Sequence, residues 1–274
     1  MVYTADLKSA AFTGLRVRIP PRLPGIIIAM KSISYPIKHQ YQPTNTSCSP
    51  TALSMLLEYY GQSMSPTEVG KSVPQVRDET GEERGTINTQ MATWCISRGF
   101  DVTLYTFDCQ IIDQPWRKLS SRQVTERLKA GLDGLEVPAL GALWSNAYRQ
   151  AYIDFIQAGG ELIIRPYASR DLLYQLLQNG PILPCLSYST LHGVARTRNI
   201  NEIDSVNDDV NGRAVNHSVV IYGVDESGNF LIADPWRKPG RHVIEPDQMV
   251  AAISTAQLEC DNMVFGLTPR KPVQ

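Results

Sequence analysis

Apolar residues recur at helical spacing between residues 50 and 60, and this pattern predicts a helix with one buried face. Pro50 suits the first turn of such a helix, where its missing N–H is not needed. Ser47 and Ser49 are the candidate capping residues. Cys48 is therefore expected at the N-terminus of a buried helix.

Further helices are predicted where apolar residues share one face or where a capping residue precedes such a stretch. One begins near Ser65, and four others cover residues 85–99, 121–130, 146–158 and 171–178. Alternating or continuous apolar runs predict strands at residues 101–107, 162–164, 181–188, 218–224, 229–233 and 263–267. Because most helices precede most strands, we expect an α+β fold with an N-terminal helical part packed on a C-terminal antiparallel sheet.

A turn predicted at residues 225–228 sets the register of a late hairpin. With that turn, Tyr222 is expected to face Asn229, and His217 then faces Asp234 across the two strands. Cross-strand Cβ atoms lie about 4.5–5.5 Å apart, so the carboxylate can accept a hydrogen bond from one imidazole nitrogen and leave the other free. The alternatives are a strand-end histidine satisfied by backbone groups and an aspartate that opens a turn before a proline.

Cys48 has the position that a nucleophilic thiol requires. Unpaired N–H groups and the positive end of a helix dipole stabilise the thiolate, which is the nucleophilic form. The alternative is that Cys48 starts a helix without any chemical role. The joint occurrence of Cys48, His217 and Asp234 at these positions weighs against this alternative. Gln42 precedes the cysteine by six residues, and its amide is a candidate oxyanion donor, with Gln40 as the competitor.

The other cysteines and histidines show no pattern of a metal site or a disulfide framework. The five cysteines are odd in number and include no CxxC pair. Besides Cys48, four of them are expected to be small buried apolar residues: Cys95, Cys109, Cys185 and Cys260. His192 and His242 lack metal-ligand spacing, so local packing or solvent contact is expected for both. We therefore expect no metal and no cofactor.

The formal net charge of -1 gives no electrostatic reason to expect nucleic acid or an anionic membrane as a partner. No apolar run approaches the roughly 20 residues that span a bilayer. The apolar patch within residues 1–29 is shorter than the roughly 7–15 residues of a secretory signal, so a cytoplasmic location is expected. Those residues are predicted to be a disordered leader, a transit peptide or a stretch before the true start at Met30. Residues 30–274 are expected to form one domain.

Residues 196–215 are polar and rich in asparagine and aspartate. Their carboxylates lack the spacing of a calcium-binding loop. We expect a solvated loop near the His217 end of the sheet, within reach of a substrate.

Three segments, taken in order, resemble the C39-like cysteine peptidases. Residues 42–61 resemble the family's nucleophile segment, in which a glutamine, five residues and a cysteine lead into a helix that ends near Tyr-Gly. Residues 216–225 resemble its histidine segment, and residues 231–236 resemble its closing Asp-Pro motif. The ordered set is more specific than any single motif. The resemblance covers roughly residues 35–60 and 171–267.

This resemblance implies a papain-like fold and a division of roles among four residues. Cys48 would be the nucleophile, His217 the base, Asp234 the carboxylate that orients the base, and Gln42 the oxyanion donor. A peptidase or amidase would then cleave a peptide-like bond through an acyl-enzyme. Two alternatives stay open: a transpeptidase or acyltransferase that passes the acyl group to an amine or thiol, and a non-enzymatic binding module that retains the fold.

The chain departs from the family pattern beside the nucleophile and beside the base. Ser49 stands where the family usually has glycine, Asn216 where it often has glycine or proline, and Ser218 where it has a bulky residue. These departures bear on substrate fit more than on the triad. The middle region, about 110–165, is enlarged relative to the minimal family domain, and a lid or a wall of the substrate site is expected there.

Overall fold

The computed structural model describes residues 32–77, 80–81, 83–132, 134, 141–201, 204–256 and 262–270. Its helices are α1 (Cys48–Tyr59), α2 (Pro66–Ser72), α3 (Asn88–Ser97), α4 (Ser121–Leu132), α5 (Gly141–Gln157), α6 (Arg170–Leu177), α7 (Tyr188–His192) and α8 (Pro246–Ser254), with a 3-10 turn at Gln114–Lys118. The expectations for residues 1–29, the start at Met30 and Cys260 lie outside the described residues.

The strands supply a large sheet and two small hairpins. They are β1 (Ile33–Ser34), β2 (Val76–Arg77), β3 (Glu83–Gly85), β4 (Phe100–Thr106), β5 (Glu161–Ile164), β6 (Ile182–Ser187), β7 (Thr197–Asn199), β8 (Ser205–Asn207), β9 (Asn216–Ser218), β10 (Val220–Val224), β11 (Phe230–Ala233), β12 (Arg241–Ile244) and β13 (Met263–Pro269).

In the described residues, nine strands form the large sheet, whose main path runs β12–β11–β10–β6–β13–β4–β5. β1 pairs with β10 and β9 with β6 beside that path. The described pairs are antiparallel except β4 with β5, which run parallel. Because β1, β4 and β5 come from the first two thirds of the chain, the sheet is not confined to the C-terminal part as expected. The fold is nevertheless mixed, with helices and a sheet.

Helices cover both faces of this sheet. One apolar cluster joins α1, α3 and α5 to the strands, and a second joins α6 and α8 to them. Neighbouring strand residues belong to different clusters: Val220 and Phe265 to the first, Ile221 and Val264 to the second. Side chains alternate across a strand, so the clusters lie on opposite faces. Burial on both faces explains why β6 and β10 are continuously apolar.

The register of the late hairpin differs from the prediction. Val224 pairs with Phe230 and Val220 with Ala233, and the register shifts at Tyr222. The expected pairing of Tyr222 with Asn229 is therefore wrong. The observed pair of Val224 and Phe230 encloses residues 225–229, one more than the predicted turn 225–228, and the backbone N–H of residue 225 donates to the carbonyl of residue 229.

Residues 196–215 are not a plain loop. β7 and β8 form an antiparallel hairpin there. Asp208 supports it by accepting from the backbone N–H groups of Val210 and Asn211 and from the side chain of Arg198. The strands are short and polar, so they lack the apolar alternation by which strands are predicted.

The described parts of the enlarged middle region extend the sheet and its helical cover. α4 packs on α5, α5 packs on α3, and β5 adds the last strand beside β4. The expectation of a lid or a substrate wall stays a prediction. Among the described residues, no helix has both the length and the apolar character that a membrane crossing requires.

Candidate active site

Cys48 is the first residue of α1, as the pattern of apolar residues predicted. The helix behind it is anchored by a run of buried residues, Pro50 to Leu57. Neither Ser47 nor Ser49 caps the helix through its side chain, contrary to expectation. The Ser47 hydroxyl instead bonds to Thr44 at 2.9 Å, within the preceding loop. The thiol therefore lies at the positive end of a firmly packed helix.

His217 lies in the short strand β9, where it pairs with Leu186 of β6. Its ring is fully buried, and Nε2 lies 2.9 Å from Oδ1 of Asp234. A carboxylate accepts hydrogen bonds, so Nε2 carries a hydrogen. The other ring nitrogen, Nδ1, is buried without a hydrogen-bond partner in the described part of the chain. One nitrogen is thus fixed by the carboxylate and the other is free for a proton.

The contact between His217 and Asp234 does not arise from the expected cross-strand pairing. Asp234 follows the last residue of β11, and His217 belongs to a strand that pairs with β6. The two side chains meet beyond the ends of the paired strands β10 and β11. The prediction that they are neighbours is right in its outcome and wrong in its geometry.

Asp234 is fully buried and accepts several hydrogen bonds. Its Oδ1 accepts from His217 and from the backbone N–H groups of Trp236 and Arg237, at 2.7 and 3.1 Å. Burial alone would raise the pKa of this carboxyl. The charge of His217 and the hydrogen bonds outweigh burial and hold the pKa of Asp234 well below its usual range.

Cys48 and His217 shift each other's pKa in opposite directions. Burial would raise the pKa of the Cys48 thiol, but interaction with His217 and the Ser218 backbone N–H outweighs it, so that pKa is lowered. Burial would likewise lower the pKa of the His217 ring, but the charge of Asp234 and the interaction with Cys48 raise it to about 10. Both shifts favour a thiolate beside an imidazolium.

Gln42 lies in the loop before α1, and its backbone N–H donates to the Pro235 carbonyl at 2.8 Å. This bond ties the nucleophile loop to the turn that holds Asp234. The Gln42 side-chain amide donates to the Thr44 carbonyl at 2.7 Å, which uses one of its two hydrogens. Its role as an oxyanion donor stays a prediction.

Gln40, the competitor, faces away from this loop. Its amide nitrogen donates to Glu58, and its amide oxygen accepts from Ser54. Both partners belong to α1, well behind its first residue. The geometry therefore favours Gln42 over Gln40.

Residues 33–131 match the model of the Peptidase_C39 like family. The resemblance to C39-like peptidases is thus confirmed over this part of the chain. The match includes Gln42, Cys48 and the whole of α1, and it runs on through the middle residues, beyond the expected segment 35–60. It ends before His217 and Asp234. A match to this family suggests a peptidase-like function.

A comparison with solved structures gave a crystal structure described as a "putative C39-like peptidase from Bacillus anthracis". It has a TM-score of 0.44 and 10% sequence identity, and the comparison covers 89% of this chain and 100% of the other. No curated protein matches the chain.

Two of the departures from the C39 pattern contact each other. The hydroxyl groups of Ser49 and Ser218 are 2.8 Å apart, so one donates to the other. Ser49 follows Cys48, and Ser218 follows His217. This hydrogen bond joins the helix and the strand that supply the two reacting groups, at positions where C39-like peptidases usually have a glycine and a bulky residue.

The C39-like motifs did not reveal His192, which sequence reasoning assigned to packing or solvent. Its Nε2 lies 2.7 Å from Oδ2 of Asp234, and its side chain is 4% exposed. His39 bonds to the backbone carbonyl of Asp234 at 2.7 Å, and the His242 ring lies 5.1 Å from that of His192. All four histidines of the chain thus gather around one aspartate.

Aromatic rings enclose the free edge of this cluster. Tyr188 stacks on Trp236 with ring centroids 5.1 Å apart and meets the rings of His192 and His217 edge-on. Trp236 also contacts the His217 ring at 6.0 Å. These rings shield the imidazoles from solvent, and the lower local dielectric strengthens the charge interactions with Asp234.

The β7–β8 hairpin lies against the nucleophile loop. The side chain of Asn45 donates to the carbonyls of Asn201 and Asp204, at 2.9 and 3.2 Å. Beside this loop, a depression of about 650 Å³ is lined by Thr46, Ser47 and other residues. Space of the size that ligands occupy therefore adjoins the first turn of α1.

No group of three or more His, Cys, Asp or Glu side chains is placed to hold a metal ion in the described ranges. Cys95 and Cys185 are buried as expected, whereas Cys109 is exposed, contrary to expectation.

Proposed function

We propose that the chain is a cysteine peptidase or amidase with a papain-like arrangement, which cleaves a peptide-like bond through an acyl-enzyme on Cys48. One observation carries the proposal: the buried His217 ring offers one nitrogen to Asp234 and leaves the other free, while His217 and the thiol shift each other's pKa toward charge separation. Such a pair is what a thiol nucleophile needs.

The proposed reaction begins from the thiolate and the imidazolium. The Cys48 sulfur attacks the carbonyl carbon, and the carbonyl π electrons move to oxygen. The imidazolium of His217 gives its Nδ1 proton to the leaving amine as the C–N bond breaks. A water then gives a proton back to Nδ1 as its oxygen attacks the thioester, and the acid leaves as the thiolate is restored.

The oxyanion needs hydrogen-bond donors near Cys48. The backbone N–H of Cys48 lies at the start of a helix, where such groups point outward. Gln42 has a second amide hydrogen beyond the one given to Thr44, and its backbone is tied to the turn after Asp234. These features support Gln42 as the side-chain donor.

Trapping the acyl group on Cys48 tests this proposal. Wild type and Cys48→Ala are mixed with a panel of peptide esters and amides, quenched in acid and weighed intact. We expect the mass of an acyl group on the wild type, absent from Cys48→Ala and mapped to the peptide with residue 48. Equal adducts on both proteins, or no turnover and no adduct with any member of the panel, would contradict it and favour a binding module.

The same mixtures separate hydrolysis from transfer. With added amine, a hydrolase still yields the free acid as the main product, whereas a transpeptidase or acyltransferase yields the new amide. A product dominated by the amide would keep the acyl-enzyme and replace water as its acceptor.

A further inference from the structure

We propose that His192 is a positioning residue of this site: its hydrogen bond to Oδ2 of Asp234 holds the carboxylate in the orientation that serves His217. The inference rests on the proposed function and deepens it. His192 acts through Asp234 and does not touch the reacting atoms.

The two oxygens of Asp234 have different partners. Oδ1 accepts from His217 and from two backbone N–H groups of the following turn. In the described part of the chain, the hydrogen bond to Oδ2 comes from His192 alone, at 2.7 Å. The carboxylate is therefore held at both ends, and the end opposite His217 depends on one side chain.

Burial makes this dependence strong. Asp234 has no exposed surface, so solvent cannot replace a lost donor. Without the His192 donor, a charged oxygen would remain buried and unpaired, and such groups are costly. The carboxylate would then turn to share its donors, and the bond from Oδ1 to His217 would lengthen.

His192 is itself held rigidly. It ends α7, which follows β6, and Ser187 accepts from the Thr190 N–H at the start of that helix. The carbonyl of Leu191 accepts from Gln248 of α8. The rings of Tyr188 and His242 lie 5.0 and 5.1 Å from the His192 ring. A side chain fixed in this way can fix its partner.

Two substitutions separate positioning from packing. His192→Gln keeps an N–H donor at nearly the reach of Nε2 but loses the ring. His192→Phe keeps a ring of similar size but loses the donor. If His192 holds the carboxylate, His192→Gln should preserve the reactivity of Cys48 better than His192→Phe. If His192 only fills space, His192→Phe should preserve it better.

The readout is the rate at which iodoacetamide labels Cys48, followed peptide by peptide by mass spectrometry at neutral pH. Cys109 is exposed and free, so its rate in the same sample is the internal reference. We expect His192→Phe to slow the labelling of Cys48 by about tenfold relative to Cys109, and His192→Gln by less than about threefold. Thermal midpoints of both variants are measured alongside.

The positioning role would be overturned if Cys48 is labelled equally fast in wild type and His192→Phe, or faster in His192→Phe than in His192→Gln. Either result would leave the role of Cys48 as nucleophile intact. Wild-type Cys48 that labels no faster than Cys109 would overturn the proposed function itself, and this inference with it. If His192→Phe does not fold, His192→Asn, whose amide is too short to reach Oδ2, takes its place with the same expected loss.

Discussion

His217→Ala is expected to lose as much activity as Cys48→Ala, with turnover falling by about 10⁴-fold or more in each. Without the imidazole, the Cys48 thiol loses interactions that lower its pKa, and the leaving amine loses its proton donor. Turnover is measured with the substrate from the panel that gives the highest acyl-enzyme yield.

The double variant is the control for this prediction. Triad members act as a unit, so Cys48→Ala with His217→Ala should be no slower than either single variant. The free energy of unfolding of Cys48→Ala should lie within about 1 kcal/mol of the wild-type value. Its lower rate is then explained by lost chemistry and not by lost folding. Wild-type rates from Cys48→Ala, or losses that multiply in the double variant, would contradict the triad.

Asp234→Ala is expected to lower the free energy of unfolding by about 3–5 kcal/mol. The substitution removes a buried charge that is paired with His217 and that also accepts from His192 and two backbone N–H groups. These donors would be left buried without a partner. Urea unfolding at neutral pH measures the loss.

Asp234→Asn is the matched control, because it keeps the size of the side chain and one accepting oxygen. Asp234→Asn should lower the free energy of unfolding by less than Asp234→Ala does. It should reduce activity as much as Asp234→Ala does, since the neutral amide cannot stabilise an imidazolium. The folded pKa of Asp234 is lowered, so its contribution is present above the unfolded pKa of about 3.9 and is lost as pH falls. The stability gap between wild type and Asn should therefore narrow below about pH 4; a gap that widens there would contradict the charge assignment.

The start of α1 could be predicted because its signals are local. Apolar spacing and Pro50 place Cys48 at the first residue without reference to the rest of the chain. The same holds for α2, where Ser65 and Glu68 form a capping box. Helices and strands with such internal patterns appear in the structure with bounds shifted by a few residues.

The geometry around His217 could not be predicted, because it depends on pairing between strands that lie far apart in the sequence. Counting from the turn assumed one continuous strand through His217, but the structure breaks it into β9 and β10. Both pair with β6, and the described pairing with β11 belongs to β10. The short polar strands β7 and β8 were missed for another reason: their local hairpin is held by side-chain and backbone hydrogen bonds and shows no apolar alternation.

His192 was missed because spacing along the chain says nothing of its neighbours. It ends α7, the helix that follows β6, and β6 pairs with the strand of His217. That pairing brings the residues after β6 to the carboxylate. A histidine within a few residues of the end of a strand predicted to lie beside the catalytic one is the signal that could have found it.

Titration of the Cys48 thiolate shows whether His217 lowers the pKa of this thiol. The difference in ultraviolet thiolate absorbance between wild type and Cys48→Ala is followed against pH, with and without His217→Ala. We expect a thiolate that persists below the ordinary thiol pKa of about 8.5 in the wild type and that appears only near or above that pKa once His217 is removed. A wild-type thiolate that forms only at or above about 8.5, or that is unaffected by removal of the ring, would contradict it.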